Sequence, residues 1–311
     1  MDKILLVDGL NFIFRANITF GSKQKPHELC LDVTCNHKLR SKSVQHCTCG
    51  QEWIIEDSRC YSQANENYVL IYNFFRNFRS LIEQFSPDKC FFVLEGRPQF
   101  RYNLYSEYKA NRIIKTASKQ EEMAKFHAGK NEIIRLLQYL PVTIARAAEY
   151  ECDDVIASLC NNLSSEQLII VSNDSDYLQV LQKGYSNCKV YNSIKKEYMI
   201  APEYPYVPWK CLNGDKSDNI PSLLTPKKAL QTITNPDLLA KFLSLEENRA
   251  KFNINRQLIE FQSVPEEDIE FTEGVENFSE LKKEFFNMKF QSMIDGDYWI
   301  KYCNTFKCLK Y

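Results

Sequence analysis

The sequence predicts an α/β protein, with a mostly parallel central sheet flanked by helices and a smaller helical lobe behind it. Three short apolar runs point to the sheet: "KILLVDG" at 3–9, "KCFFVLEG" at 89–96 and "QLIIVSND" at 167–174. Their length and unbroken hydrophobicity suit strands covered on both faces. Between them lie stretches with helical spacing of apolar residues, such as "YVLIYNFFRNFRSLIEQF" and "AKFHAGKNEIIRLLQYL". Strands alternating with helices imply parallel pairing. The third observation is the change of pattern near residue 205, where the Pro-rich "PEYPYVPW" leads into mainly helical segments.

Each element has a local reason. "DDVIASLCNNL" reads as a helix with Asp153 and Asp154 in its first turn, where carboxylates complement the helix dipole. The expected organisation is an α/β core over 1–205 and a helical lobe over 206–311. The region 21–66 is different, being polar and aperiodic with five cysteines and three histidines. A loop of that length without structure of its own is expected to be functional, metal-stapled or partly disordered.

Composition narrows the classes. At 311 residues with 44% hydrophobic and 25% charged content, the chain can bury a sizeable core. No apolar run reaches the roughly 18 residues of a membrane span, and the opening strand shows no cationic secretory signal. Cys90, Cys152, Cys160, Cys188 and Cys211 sit inside apolar runs, as free thiols do in a reducing compartment, so a cytoplasmic location is expected. Net charge is −1, yet Arg101, Lys109, Arg112, Lys115 and Lys119 face a single acid, Glu107, between 101 and 120. This basic stripe is either a solvated helix face or a phosphate track.

The acids carry the chemistry. Each strand-like run ends in one: Asp8, Glu95, and Asp174 with Asp176. Ligands of open parallel sheets bind outside the carboxyl ends of the strands, so these runs point at one crevice. "AEYECDD" adds Glu149, Glu151, Asp153 and Asp154, and "NGDKSDN" adds Asp215 and Asp218. So many like charges in one crevice require protonation or cations. Hard oxygen ligands suit Mg²⁺ or Mn²⁺, and a pair of such ions suits in-line displacement at phosphorus. The four histidines (His27, His37, His46, His127) build no competing nucleophile arrangement. The residues imply metal-dependent phosphodiester hydrolysis.

"LLVDGLNFIFR", "EYKANR", "EYECDDVIASL", "VSNDSDYLQVL" and "LNGDKSDNIP" occur in the order found in the flap endonuclease family of 5′-nucleases. Within it the chain resembles phage 5′-3′ exonucleases of the T-even ribonuclease H type, and it is similar to the 5′-nuclease domain of bacterial DNA polymerase I. The resemblance covers about 1–20 and 90–235 and implies a PIN-like 5′-nuclease core. It implies one metal ion held by Asp8, Glu95, Glu151 and Asp153, and a second held by Asp174, Asp176 and Asp215, with Asp154 and Asp218 in support. Glu95 replaces the family's usual aspartate. "YSEYKANR" matches a helical gateway, about 98–130, in which Lys109 and Arg112 would meet the scissile phosphate and Asp8, Lys109 and Arg112 would take part in catalysis. Arg15, Arg101 and Lys115 would meet nucleic acid, while Tyr102, Tyr105 and Tyr108 would stack on bases or merely pack the helix. "GDKSDNIPSLLTPKKALQ" falls where the family has a helix–turn–helix variant that grips duplex. It lacks the usual glycines there, but Lys227 and Lys228 could still meet phosphates.

The implied activity is a divalent-metal-dependent 5′→3′ exonuclease and flap endonuclease acting on DNA and RNA–DNA hybrids, removing RNA primers and 5′ flaps in phage-type replication. A single-strand binding protein, clamp or polymerase would be a partner, and the chain is expected to be a monomer in the host cytoplasm. Two other readings stand beside it, a catalytically weak structure-specific binding protein and a PIN-like ribonuclease. Outside the resemblance, Cys30, Cys35, Cys47 and Cys49, flanked by His27, His37, His46 and Cys60, would suit structural Zn²⁺ or be free thiols in an insertion.

Overall fold

The computed structural model describes residues 1–21, 27–30, 53–56, 66–112, 116–184 and 187–310. The first half runs β1 (Lys3–Asp8), α1 (Gly9–Gly21), β2 (His27–Cys30), β3 (Trp53–Glu56), α2 (Glu66–Phe85), β4 (Lys89–Leu94), α3 (Gln99–Leu104), α4 (Ala117–Leu137) and β5 (Thr143–Arg146). It continues through α5 (Cys152–Asn162), β6 (Gln167–Val171), α6 (Leu178–Gln182), β7 (Cys188–Asn192) and β8 (Glu197–Tyr198). Four helices follow: α7 (Tyr206–Asn213), α8 (Pro226–Ile233), α9 (Pro236–Leu243) and α10 (Glu246–Ile259). Last come β9 (Glu270–Glu273), α11 (Phe278–Asn287), α12 (Gln291–Ile294) and α13 (Gly296–Phe306).

The main sheet has the order β8-β7-β6-β1-β4-β5-β9, with β2 and β3 forming a separate antiparallel pair. Its five inner strands are parallel, and both edges, β8 and β9, run antiparallel. The expected mostly parallel sheet with flanking helices is therefore the fold, with two short edge strands that carry no buried alternation to betray them.

Side-chain alternation explains why the runs are continuously apolar. Leu5 and Val7 of β1 face the layer built by α1, α2 and α4, whereas Ile4 and Leu6 face α5. Ile169 with Val171, and Leu168 with Ile170, repeat the division on β6. The chain leaves β1 through β4 and β5 on one side and takes up β6 and β7 on the other. Helices consequently cover both faces, and the strand order reverses at β1, where a crevice opens at the carboxyl ends.

A third cluster, including Cys211, Leu212, Ala229, Ile233 and Phe252, holds α7, α8 and α10 together and takes in Tyr108 from the segment after α3. The later chain returns to the α/β body: Phe271 and its neighbours in β9 pair with β5, and Phe285, Tyr302 and Phe306 bury against α2. Among the described residues no helix is long and apolar enough to cross a membrane.

Phe74 is the centre of the larger core cluster. It is fully buried, with ring centroids 5.6 Å from Phe12, 5.5 Å from Phe78 and 5.6 Å from Phe92. Phe74→Ala is expected to lower stability by about 3–5 kcal/mol, through lost burial plus a cavity. Urea unfolding of the metal-free protein checks this, and a loss below about 1 kcal/mol would contradict the packing described.

Candidate metal centre

A crevice of about 400 Å³ opens at the carboxyl ends of β1, β4 and β6, and eight carboxylates line it. Asp8 ends β1, and Glu95 follows β4 by one residue. Gly96 is what lets the β4 exit approach the loop before α5. A Cβ there would lie 2.0 Å from the Ala147 carbonyl, and the Gly96 N–H donates to the Tyr150 carbonyl at 3.0 Å. Glu151 and Asp153 open α5 across that contact. Asp174 caps the short turn after β6, accepting from the Asp176 N–H at 2.9 Å. Asp215 and Asp218 come from the loop after α7, which Gly214 (φ +72°) turns back upon itself.

The carboxylates are chemically strained by their own company. Burial, reinforced by Asp174, raises Asp8 to about 6, against hydrogen bonds from the Asn11 N–H and Ser172 hydroxyl. Burial and Glu151 raise Glu95 to about 7 although Lys109 pulls the other way. Asp153 is pushed well up by burial, Asp154 and Glu151, and Asp176 rises through burial and Asp174. Oxygens of Glu151, Asp153 and Asp154 lie within 4.8 Å of one another. The eight carboxylates lining the crevice, a dense set of hard oxygens several of which are reluctantly charged, fit Mg²⁺ or Mn²⁺.

Two lysines stand among them. Lys109, held at φ +56°, pairs its ammonium with Glu151 and lies 3.9 Å from both Glu95 and Asp218. Burial opposes its charge, but Glu151, Asp218 and Glu95 together keep its pKa above the ordinary lysine value. Lys210 on α7 is only 6% exposed and bridges Asp176 and Asp215, the latter at 2.7 Å. Burial works against its charge too, yet Asp176 raises it, and Lys210 in turn holds Asp215 below the usual carboxylate range against the burial of that acid. No motif reading singled out Lys210, because a lysine inside an amphipathic helix ordinarily points to water.

The gateway sequence and the loop after α7 are zipped together. The Lys109 N–H donates to the Asp218 carbonyl at 2.9 Å, Asn111 Nδ2 to the Lys216 carbonyl at 2.6 Å, and Asn219 Nδ2 to the Glu107 carbonyl at 2.8 Å. Arg112 pairs with Asp218 while its side chain stays 53% exposed at the crevice mouth. Phe14, exposed and stacked on Phe126 at 4.3 Å, adds an aromatic face to the same mouth.

Three expected placements are corrected. Arg101 is 1% exposed, with its guanidinium paired to Asp154 and Glu151, so nucleic acid does not reach it. Asp154 is fully buried, and each of its oxygens already accepts two hydrogen bonds, from Arg101 twice and from the N–H groups of Glu151 and Gln262. No lone pair is left for a metal ion. Tyr108 is 2% exposed and donates its hydroxyl to Glu151 and Asp218 rather than offering a face to bases. Tyr102 and Tyr105 are half-buried against the third cluster.

The remaining residues lie elsewhere. Arg15 is half-buried, 5.9 Å above the Phe12 ring, and Glu149 is exposed outside the crevice lining. Lys227 and Lys228 are exposed in the first turn of α8. Lys115, Cys35, Cys47 and Cys49 lie outside the described residues; the backbone of Cys30 lies in β2.

A doubly wound sheet with an acid-lined crevice at its carboxyl edge is built to hold divalent cations, and known proteins resemble the chain in both sequence and fold. Residues 54–205 match the model of the N-terminal, resolvase-like domain of 5′-3′ exonucleases. The 5′-3′ exonuclease of Bacillus subtilis is 26% identical over 262 residues, covering 78% of this chain and 75% of that one. DNA polymerase I of Chloroflexus aurantiacus is 28% identical over 184 residues, covering 54% of this chain and 19% of that one. The chain spans about a fifth of the length of such polymerase relatives. In fold it is similar to the bacteriophage T5 flap endonuclease crystallised with metal ions, at a TM-score of 0.57 and 14% identity, covering 98% of this chain and 99% of that one.

Two outcomes follow from the electrostatics. Asp8 and Glu95 keep protons in the native state, at about 6 and about 7, that the unfolded chain gives up at 3.8 and 4.5. The native state binds more protons there, so with metal chelated its stability falls as pH rises from about 4 to about 7. The melting temperature should therefore decline less steeply over that range in Asp8→Asn/Glu95→Gln than in wild type, and equal slopes would refute it. Lys210→Met removes the shared partner of Asp176 and Asp215 and should cost about 3 kcal/mol in chelator, read by denaturant unfolding.

Proposed function

We propose that this chain is a divalent-metal-dependent 5′→3′ exonuclease and flap endonuclease that hydrolyses phosphodiester bonds in DNA and RNA–DNA hybrids. The observation that carries the reading is the convergence of Asp8, Glu95, Glu151, Asp153, Asp174, Asp176, Asp215 and Asp218 on one crevice beneath Lys109 and Arg112. The family model that residues 54–205 match, and the names of the relatives, support it. Asp8, Glu95, Glu151 and Asp153 would hold one Mg²⁺ or Mn²⁺, and Asp174, Asp176 and Asp215 a second, with Asp218 nearby. When bound, such ions supply a water of lowered pKa and neutralise the departing oxygen.

The chain's own residues do the rest. Lys109 and Arg112, ammonium and guanidinium at the mouth, are placed to meet a non-bridging phosphate oxygen as negative charge develops. Their present carboxylate partners hold both groups ready, and the left-handed backbone at Lys109 directs its side chain inward. Phe14 gives an apolar face beside the acids on which an unpaired base can rest. Lys227 and Lys228, at the start of α8 in the 206–259 segment, would meet duplex phosphates. Primer and flap removal in phage-type replication, in the cytoplasm and beside a single-strand binding protein, clamp or polymerase, is the setting this activity fits.

The test compares a labelled 5′-flap DNA, an RNA–DNA hybrid and a structureless RNA, each with Mg²⁺ and with chelator. Cleavage of the first two should require metal. Asp174→Ala, an exposed position, should keep the far-UV spectrum and lower the rate at least about a thousandfold, the equivalent of several kcal/mol of charge stabilisation. Wild-type rates in that variant would refute the reading, and preference for structureless RNA would favour a ribonuclease.

A further inference from the structure

Arg101 is the most deeply buried cation of the molecule's described part, and no catalytic or phosphate-binding role can use it where it sits. We propose that Arg101 is a positioning residue that fixes the orientation in which the Glu151 carboxylate faces the crevice. This rests on the metal-centre reading above.

The geometry is specific. From α3, Arg101 Nη1 donates to Glu151 Oε2 at 2.9 Å and to Asp154 Oδ2 at 2.6 Å, while Nη2 donates to Asp154 Oδ1 at 2.8 Å. Tyr108 donates its hydroxyl to the same Glu151 Oε2 at 2.9 Å. That oxygen has both acceptor positions filled from behind. Glu151 Oε1 alone points forward, where Lys109 meets it. Turning the carboxylate out of this plane would leave one Arg101 Nη1 hydrogen without its acceptor and the Tyr108 hydroxyl with only Asp218, 3.2 Å away, so one orientation is favoured for meeting a cation.

The third side of the guanidinium ties this arrangement to the end of α10. Nε donates to the Leu258 carbonyl at 3.1 Å, at the end of α10. Three residues beyond the helix, the Gln262 N–H donates to Asp154 Oδ1 at 2.8 Å. One planar group thereby joins the gateway segment, the start of α5 and the strap that carries the chain from α10 back towards the sheet. Asp154 is the counter-charge that makes the burial of Arg101 tolerable; Glu151 is the working acid that the pair orients. A lysine could neutralise Asp154 but could not satisfy both acids and the Leu258 carbonyl from one point charge.

The test uses the whole chain and Mn²⁺ as the probe. Arg101→Lys should bind Mn²⁺ about tenfold or more weakly by calorimetry, the range seen when the groups orienting a metal ligand are removed. The metal concentration for half-maximal cleavage should rise in parallel, with the rate at saturating metal largely recovered. Ser158→Ala loses the Val264 N–H hydrogen bond in the same strap without touching Glu151. It should lose stability while keeping wild-type Mn²⁺ affinity, which separates orientation from mere loosening. Should Arg101→Lys fail to fold, Tyr108→Phe decides: it removes the other donor to Oε2 and should weaken Mn²⁺ binding in the same direction by a smaller factor. Wild-type Mn²⁺ affinity in the folded Arg101→Lys protein, or in Tyr108→Phe where that protein cannot be made, would overturn the proposal. Because the binding measurement needs no substrate, it stands even if the wild-type chain cuts none of the nucleic acids above.

Discussion

Everything at the carboxyl edge of the sheet answers to one constraint: carboxylates from five separate segments share a crevice that can scarcely hold their charges. The chain meets it with cations of its own. Lys109 stands against Glu151, Lys210 between Asp176 and Asp215, and Arg101 behind Glu151 and Asp154. Each cation comes from a helical segment outside the sheet, so the segments that would contact nucleic acid also balance the site. The help is incomplete: burial still raises Asp8 to about 6 and Glu95 to about 7, and it pushes up Asp153 and even the Lys210-paired Asp176. Of the acids paired with Lys210, Asp215 is lowered while the more deeply buried Asp176 is raised, so burial outweighs pairing within one ion-pair set.

Much of this was legible in the sequence because strand ends are. Asp8, Glu95 and Asp174 each terminate an apolar run, and parallel strands deliver their ends to one edge. The helix start at Glu151 was legible for the same kind of reason, an acidic turn ahead of periodic apolar residues. Long-range partnership was not. Arg101 looked like one basic residue in a stripe, and only Asp154 and Glu151, some fifty positions away, decide that it is interior. Tyr108 was open between stacking and packing until Asp218 arrived from another motif. Lys210 had no local mark at all. The strand β9 reads "EFTE" and is exposed along its length, so no burial pattern announces it.

The same logic separates the two basic groups that remain at the mouth. Arg112 is half-exposed although it is paired, and Lys109 is recessed with three acids around it. A single-point ammonium suits the deeper position, where several carboxylates converge. A forked guanidinium suits the rim, where it can hold Asp218 and the Ser217 carbonyl at once. Residue type thus tracks depth in the crevice rather than position along the motif.

The edge strand β9 has a consequence for how the molecule is made. β1 lies mid-sheet, yet the edge beside β5 is closed by residues 270–273 and α2 is covered by α13. On the ribosome, the open flank of β5, ending at residue 146, must wait for residues 270–273 to emerge, and the hydrophobic side of α2, ending at residue 85, for residues 296–306. Such non-local closure makes for slow folding and a prolonged period in which an unpaired flank can meet another nascent chain. Chaperone occupancy during translation would consequently be set by residues 270–306, none of which lines the acidic crevice.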